Sequence, residues 1–387
     1  MASRLGAAER HIERAVHRAV EAGLEIGLQV AVERDGQPAV SICAGHADER
    51  RTRPVYEDTL FCVFSATKGI AATALQLQVA RGRLSWGDPV ARHWPEFGVG
   101  GKQNVLVRDV LRHQAGIPRM PRPTSVEQMC DWSHMVKAIA ALERPSFPGA
   151  AMAYHGYTFG WLVGELVSRT DTLGRPFERF VGDELSGPLG VRDDLWLGVP
   201  DDHHSRIADI VDYDPMPPAP RGPRARLLGA VIPRALRPSR EVFARADVRR
   251  ACLPAVGGHM TAGALAHSYS VYLPAGRGIR RPEMPVALIE MIEADIVDGF
   301  DVVLGRKIRR ANGFLAAARR WPDLAVLMGT SPRAFGHSGA GGSIGWVDRS
   351  ARLTAAITKT SMTVPDARPK PHLLAIARAI AAYGAPG

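Results

Sequence analysis

The chain has 387 residues, 46% of them hydrophobic and 23% charged, so it can bury one large core or two closely joined ones and is too apolar for a disordered chain. Its net charge of +10 comes mostly from Arg spread over the whole length without a recognised nucleic-acid motif, so nucleic-acid binding is not expected. No apolar run reaches the roughly 18 residues of a membrane span, and the polar stretch Met1 to Arg10 has no apolar signal segment, which gives the expectation of a cytoplasmic protein with no membrane partner.

Four cysteines, Cys43, Cys62, Cys130 and Cys252, are scattered without a C-x-x-C pair and read as reduced core residues. Histidines show no H-E-x-x-H or similar spacing, and neighbours such as His203-His204 rarely converge on one ion, so no metal and no cofactor are expected.

From the N-terminus, Glu9 to Gly27 repeats apolar residues at helical spacing (Ile12, Ala15, Val16, Ala19, Val20, Leu24), with Gly27 as its end. Leu28 to Arg34 and Ala39 to Gly45 flank Asp35-Gly36 as a β-hairpin. The run Phe61 to Ile70 then leads into a helix continued by Ala71, Ala74, Leu75, Leu77 and Val79. Beyond Asp88 come short helical pieces broken by Pro and Gly: Val107 to His113, Met135 to Leu142 and the strongly apolar Thr158 to Ser168. Asp212 to Arg240 carries seven prolines and little periodicity and reads as a long loop or lid. Helices are expected again at Thr261 to Val271 and Pro285 to Ala294, then strands at Leu324 to Met328, Ser343 to Asp348 and Leu353 to Thr358, and a closing helix at Pro371 to Tyr383. The fold class expected is α/β (α+β): an antiparallel sheet flanked by helices in residues 1–88 and 250–387, with a mostly helical subdomain, 89–249, inserted and the active site at their interface.

Chemistry concentrates first at Ser65 and Lys68. Three apart on one helix, they share a face, and the helix start adds free N–H groups and positive dipole suited to an oxyanion. The chain holds only six lysines among 49 basic residues, so a lysine at this position is set against an arginine habit. A buried lysine can fall toward neutrality and accept a proton, which an arginine cannot. The competing reading is a helix-capping Ser65 and a surface cation at Lys68.

Two other stretches can join them. Tyr154, in the loop Pro148 to Gly156, could shuttle a proton to or from Ser65, a neighbouring ammonium lowering its phenol pKa; otherwise it ties down the loop. Phe335 to Gly342 is a Gly-rich lead-in to a strand, where backbone N–H groups can reach an oxyanion, or simply a tight turn. Gly341-Gly342-Ser343-Ile344-Gly345 matches G-x-S-x-G, but the following Trp346-Val347-Asp348 continues a strand where a nucleophile elbow needs a helix.

In order, Ser65-Ala66-Thr67-Lys68, Tyr154-His155-Gly156 and His337-Ser338-Gly339 resemble the three active-site elements of serine β-lactamase-like hydrolases, closest to the class C β-lactamase-related esterases of carboxylesterase family VIII. The similarity covers roughly residues 10 to 380 and includes His113-Gln114-Ala115-Gly116-Ile117-Pro118. The resemblance implies that Ser65 attacks an acyl carbonyl, Lys68 and Tyr154 manage its proton, and His337, Ser338, Gly339 and Ala340 line the substrate, with the N–H groups of Ser65 and Ala340 as oxyanion hole. Gly156 and His337 stand where β-lactamases usually carry Asn and Lys, which turns the expectation from lactams to esters. The partner expected is a small-molecule ester or acyl donor; an acyltransferase passing the acyl group to an amine or alcohol is the alternative, beside a weak β-lactamase.

Overall fold

The computed structural model describes residues 6–144, 151–212, 222–274, 281–282, 284–317, 324–362 and 370–384. Helix α1, Ala7–Glu21, buries Ile12, Val16 and Ala19, one residue per turn along one stripe. It ends before Gly27. Gly23 adopts φ +67°, and its N–H and that of Leu24 bond back to the carbonyls of Val20 and Ala19, the paired closure that a left-handed glycine permits. Leu24 is therefore exposed, and Gly27 opens a strand instead.

Strands β1, Gly27–Arg34, and β2, Gln37–Gly45, form the expected hairpin, with Asp35 and Gly36 both at positive φ as a two-residue turn of the matching twist requires. Two further sets of strands follow. β3 (Phe61–Cys62), β4 (Leu195–Leu197) and β5 (Gly258–Met260) make a small sheet in the order β3-β5-β4. β6 (Ile296–Asp301), β7 (Arg306–Ala311), β8 (Phe314–Ala316), β9 (Ala334–Ser338), β10 (Ile344–Asp348) and β11 (Leu353–Lys359) complete an eight-stranded antiparallel sheet in the order β2-β1-β11-β10-β9-β8-β7-β6.

Alternate side chains of the central strands feed two cores. Val30, Val32, Ile344, Trp346, Ala355 and Ile357 pack with α1 and the closing helix Pro371–Gly384, whereas Ala31, Val347 and Ala356 face the larger core on the other side. Helix α2, Thr67–Ala80, lies in that larger core and is buried nearly all round against the equally buried helix Thr158–Thr170, and its polar Thr73, Gln76 and Gln78 are each hydrogen-bonded to a backbone carbonyl.

Two expectations change. Leu324–Met328 is a 3-10 turn tucked into the α1 core, not a strand, because a short apolar run satisfies either backbone when it is buried. The strands of that region are β6 to β9, two of which carry the charges of a sheet edge. Within Asp212 to Arg240, residues 213–221 lie outside the described residues, and Pro223–Val231 is a helix rather than loop. Among the described residues no helix is long and apolar enough to cross a membrane.

Candidate active site

Ser65 sits in a 3-10 turn, Phe64–Ala66, that feeds directly into α2, so Lys68 occupies the first turn of the helix. Phe64 is held at φ +45°, a backbone state costly for a bulky residue, by three neighbours. Its ring meets Phe243 edge-on at 5.2 Å, its carbonyl accepts from Thr67 Oγ1 at 2.5 Å, and Thr67 Oγ1 in turn accepts from Gly258 N at 2.9 Å. The first bond of the turn is Ala66 N to the Val63 carbonyl, so the Ser65 N–H precedes it and has no partner within the turn. Ser65 caps nothing: α2 has no side-chain cap, and the serine remains partly open to solvent.

Two side chains converge on Ser65 Oγ. Lys68 Nζ donates to it at 3.2 Å and Tyr154 Oη donates to it at 2.8 Å. Lys68 is fully buried, and Nζ also donates to the carbonyls of Gly156 at 2.7 Å and Ala255 at 3.0 Å. Burial, and secondarily repulsion from Arg310, holds its pKa well below the ordinary lysine value. As an ammonium Lys68 fills all three contacts as donor; as the neutral amine that burial favours, its two N–H groups stay on the carbonyls and the lone pair accepts from the serine hydroxyl instead.

Tyr154 comes from the loop ahead of the Thr158–Thr170 helix and is half-buried. Its pKa moves up from the phenol value, opposite to the expectation, because desolvation outweighs the bond to Ser65 and the field of Arg310. At neutral pH it is a phenol, a donor rather than a base. Its placement comes from residues the sequence reading did not single out. Asp301, at the end of β6 and fully buried, accepts from Tyr154 N at 3.1 Å through Oδ1 and pairs with the buried Arg310 of β7 at 3.1 Å through Oδ2. The Arg310 guanidinium lies 5.5 Å from the Tyr154 ring centroid, and Lys68 Nζ lies 4.9 Å from it. Behind the tyrosine, His113 accepts from His155 N through Nδ1 at 2.9 Å. Burial holds both imidazoles neutral, His113 well below the usual range and His155 down to about 3.

His337 and Ser338 end β9, and Gly339 and Ala340 lead through a 3-10 turn, Ala340–Gly342, back to β10. The expected lead-in to a strand is thus the tip between two strands. It lies against the serine turn: a Cβ on Gly339 would stand 2.0 Å from the Val63 carbonyl oxygen and 3.2 Å from Ala66 N. As first residue of its own turn, Ala340 likewise has an N–H without a partner inside the turn. His337 is buried and donates from Nδ1 to the Ser338 carbonyl at 2.8 Å; burial and Lys68 keep it neutral. Ser343 is buried at the start of β10 with a strand after it, so it is no nucleophile elbow.

A serine on the turn into a buried helix, a lysine one turn on and a tyrosine against both, set beside an antiparallel sheet, define a β-lactamase-like hydrolase. The chain belongs to the Beta-lactamase family, whose profile matches residues 12–379. It is 31% identical over 361 residues to the esterase/beta-lactamase LipL of Mycobacterium tuberculosis, covering 87% of this chain and 77% of that one. Among solved structures, a family VIII carboxylesterase superposes with a TM-score of 0.87 at 26% identity, covering 98% of each chain. A penicillin-binding protein homologue from Caulobacter crescentus gives 0.87 at 30% identity, covering 98% of this chain and 99% of that one.

Proposed function

We propose that the protein cleaves a carboxylic ester through an acyl-Ser65 intermediate. The observation that carries this is the convergence of Lys68 Nζ and Tyr154 Oη on Ser65 Oγ, with the lysine biased to the neutral amine and the tyrosine to the phenol. Lys68 takes the Ser65 proton as Oγ bonds to the acyl carbon, and the carbonyl oxygen becomes an oxyanion facing the N–H groups of Ser65 and Ala340. On collapse the ester C–O bond breaks and the departing alkoxide takes the Tyr154 proton. The phenolate then recovers a proton from the Lys68 ammonium. Water attacks the acyl carbon by the same route in reverse, releasing the acid and restoring Ser65.

Two features favour esters over lactams. A side chain at Gly156 has little room, since a Cβ there would meet Val231 Cγ1 at 3.0 Å and Ile232 Cγ1 at 3.2 Å, so the amide that an Asn would offer is absent. The neutral His337 supplies no cation for a carboxylate. A p-nitrophenyl ester should give a burst of nitrophenol stoichiometric with enzyme and a Ser65-linked acyl mass. Full turnover by Ser65→Ala would sink the reading.

Acyl transfer to an amine or alcohol is the second reading. It is favoured by the helix Pro223–Val231, whose Leu227, Leu228 and Val231 pack with Ala153, Tyr154 and Val303 as an apolar roof beside the tyrosine. Added amines or alcohols should then divert product from acid to amide or ester; unchanged acid yield counts against it.

A further inference from the structure

The oxyanion turn is closed by Gly339 N to the Ser343 carbonyl at 2.7 Å and Gly342 N to the Gly339 carbonyl at 3.1 Å, bonds that leave the Gly341 carbonyl itself unheld. Gly341 and Gly342 adopt φ +89° and +106°, and neither has a side chain to lock the peptide planes. A second buried lysine reaches this turn. Lys359, last residue of β11, donates from Nζ to the Gly341 carbonyl at 2.9 Å and to the Ser361 carbonyl at 2.6 Å. Its third partner is Glu25 Oε1 at 2.8 Å, where the lysine side chain is 1% exposed and the glutamate 0%. Glu25 Oε1 is shared with His372 Nε2 at 2.8 Å, from the first turn of the closing helix.

We propose that Lys359, held by Glu25 and His372, is the positioning residue of the oxyanion turn, fixing the Gly341 carbonyl and through it the direction of the Ala340 N–H. The inference rests on the acyl-Ser65 reading above. Three features distinguish it from ordinary core packing. The ammonium spends its three donors on one carboxylate and two backbone carbonyls, one of them in the turn beside Ser65. A buried ion pair is weak evidence of stability, because an apolar pair of similar volume often serves as well. Glu25, Lys359 and His372 come from three separate parts of the chain: the α1–β1 link, the end of β11 and the start of the closing helix. None of them touches Ser65 in the described contacts, so they act through the turn.

The test replaces the pair together, Glu25→Leu with Lys359→Met, which leaves no unpaired buried charge. Active sites are titrated with a fluorophosphonate, so that misfolded molecules drop out of the rate per site. The expected result is a fall of up to about a hundredfold in kcat/KM per titrated site, the cost of misplacing a reacting group by about 1 Å. The affinity for phenylboronic acid, which forms a tetrahedral adduct on Ser65 with an oxygen in the same position, should fall by the same factor. A purely structural role lowers Tm and the number of titrated sites and moves neither ratio. If the double variant does not fold, His372→Ala, at the partly open end of the network, decides by a smaller parallel loss in both. Wild-type kcat/KM per site together with wild-type boronate affinity, in whichever of these variants folds, overturns the inference. A wild-type protein that never forms acyl-Ser65 overturns the ester-cleavage reading and this inference with it; one that does, beside an unaffected variant, overturns this inference alone.

Discussion

Gly339→Ala is the most demanding probe of how the two halves of the site meet. The added Cβ would lie 2.0 Å from the Val63 carbonyl oxygen, 3.1 Å from its carbon and 3.2 Å from Ala66 N, all backbone atoms with no rotamer to yield. Real Cβ atoms hardly ever approach within 3.0 Å, so the β9 tip and the serine turn must part by about 1 Å. Neither side gives easily. The tip is tied by Gly339 N to the Ser343 carbonyl at 2.7 Å, and the serine turn is tied by Thr67 to β5. A 1 Å displacement of a reacting constellation costs about a hundredfold, and loss of one oxyanion donor about 10² to 10³. We expect kcat/KM for p-nitrophenyl acetate to fall by about two orders of magnitude, while far-ultraviolet circular dichroism stays unchanged. Stopped-flow measurement of the acylation phase reads the effect directly. A rate within threefold of wild type in a folded variant would show that the Ala340 N–H is not an oxyanion donor.

Lys68→Arg keeps the cation but cannot release its proton, so acylation should fall by 10³ or more and not recover at any pH; appreciable burst kinetics would refute the base assignment. For the wild type, activity should be lost as pH falls through the depressed Lys68 pKa, and no loss from Tyr154 should appear until above its ordinary value of 10, since burial raises it. Stability follows the same sign. The unfolded chain holds the Lys68 proton up to about pH 10.4 and the folded one releases it earlier, so stability rises with pH across that window by up to about 1.4 kcal/mol per unit. Lys68→Met should flatten that slope in denaturant titrations, and an unchanged slope would assign it elsewhere. Arg310→Met leaves Asp301 buried without its cation and should cost about 3–5 kcal/mol, against much less for the double change with Asp301→Asn; equal losses would refute the coupling. Gly156→Asn should lower ester turnover by pushing on Val231 and Ile232 without creating turnover of the chromogenic cephalosporin nitrocefin.

Ser65, Lys68 and Tyr154 are legible because their chemistry is written locally: a three-residue spacing, a lysine in an arginine-rich chain, a tyrosine ahead of an apolar helix. The hairpin at Asp35-Gly36 and the closing helix are legible for the same reason. What holds Tyr154 is not. Asp301 and Arg310 lie on paired strands but not opposite each other, since the register sets Asp301 against Arg306 and Arg310 against Val297, and those strands carry charged, weakly alternating text that resembles loop. Leu324–Met328 misleads in the opposite sense, since a strongly apolar run fits a buried turn as well as a strand. The direction of the Tyr154 shift required knowing that burial also discharges the lysine meant to lower it. No pattern in the sequence marks Gly339 as the point of closest approach. That follows from the sheet bringing the β9 tip onto the serine turn.

The Glu25–His372 contact also fixes how the outer helices run. Glu25 lies just beyond the end of α1 and His372 in the first turn of the closing helix, so the two helices are antiparallel. The start of α1 and the end of the closing helix therefore both lie toward the opposite end of the sheet. There Tyr383 sits beneath Arg34 at 5.8 Å, and Gly384 lies against Ala351 and Leu353. The seven residues of β11 separate that end from Lys359 and the oxyanion turn by about 20 Å. A substitution or tether at either helix end is therefore placed well away from the serine turn.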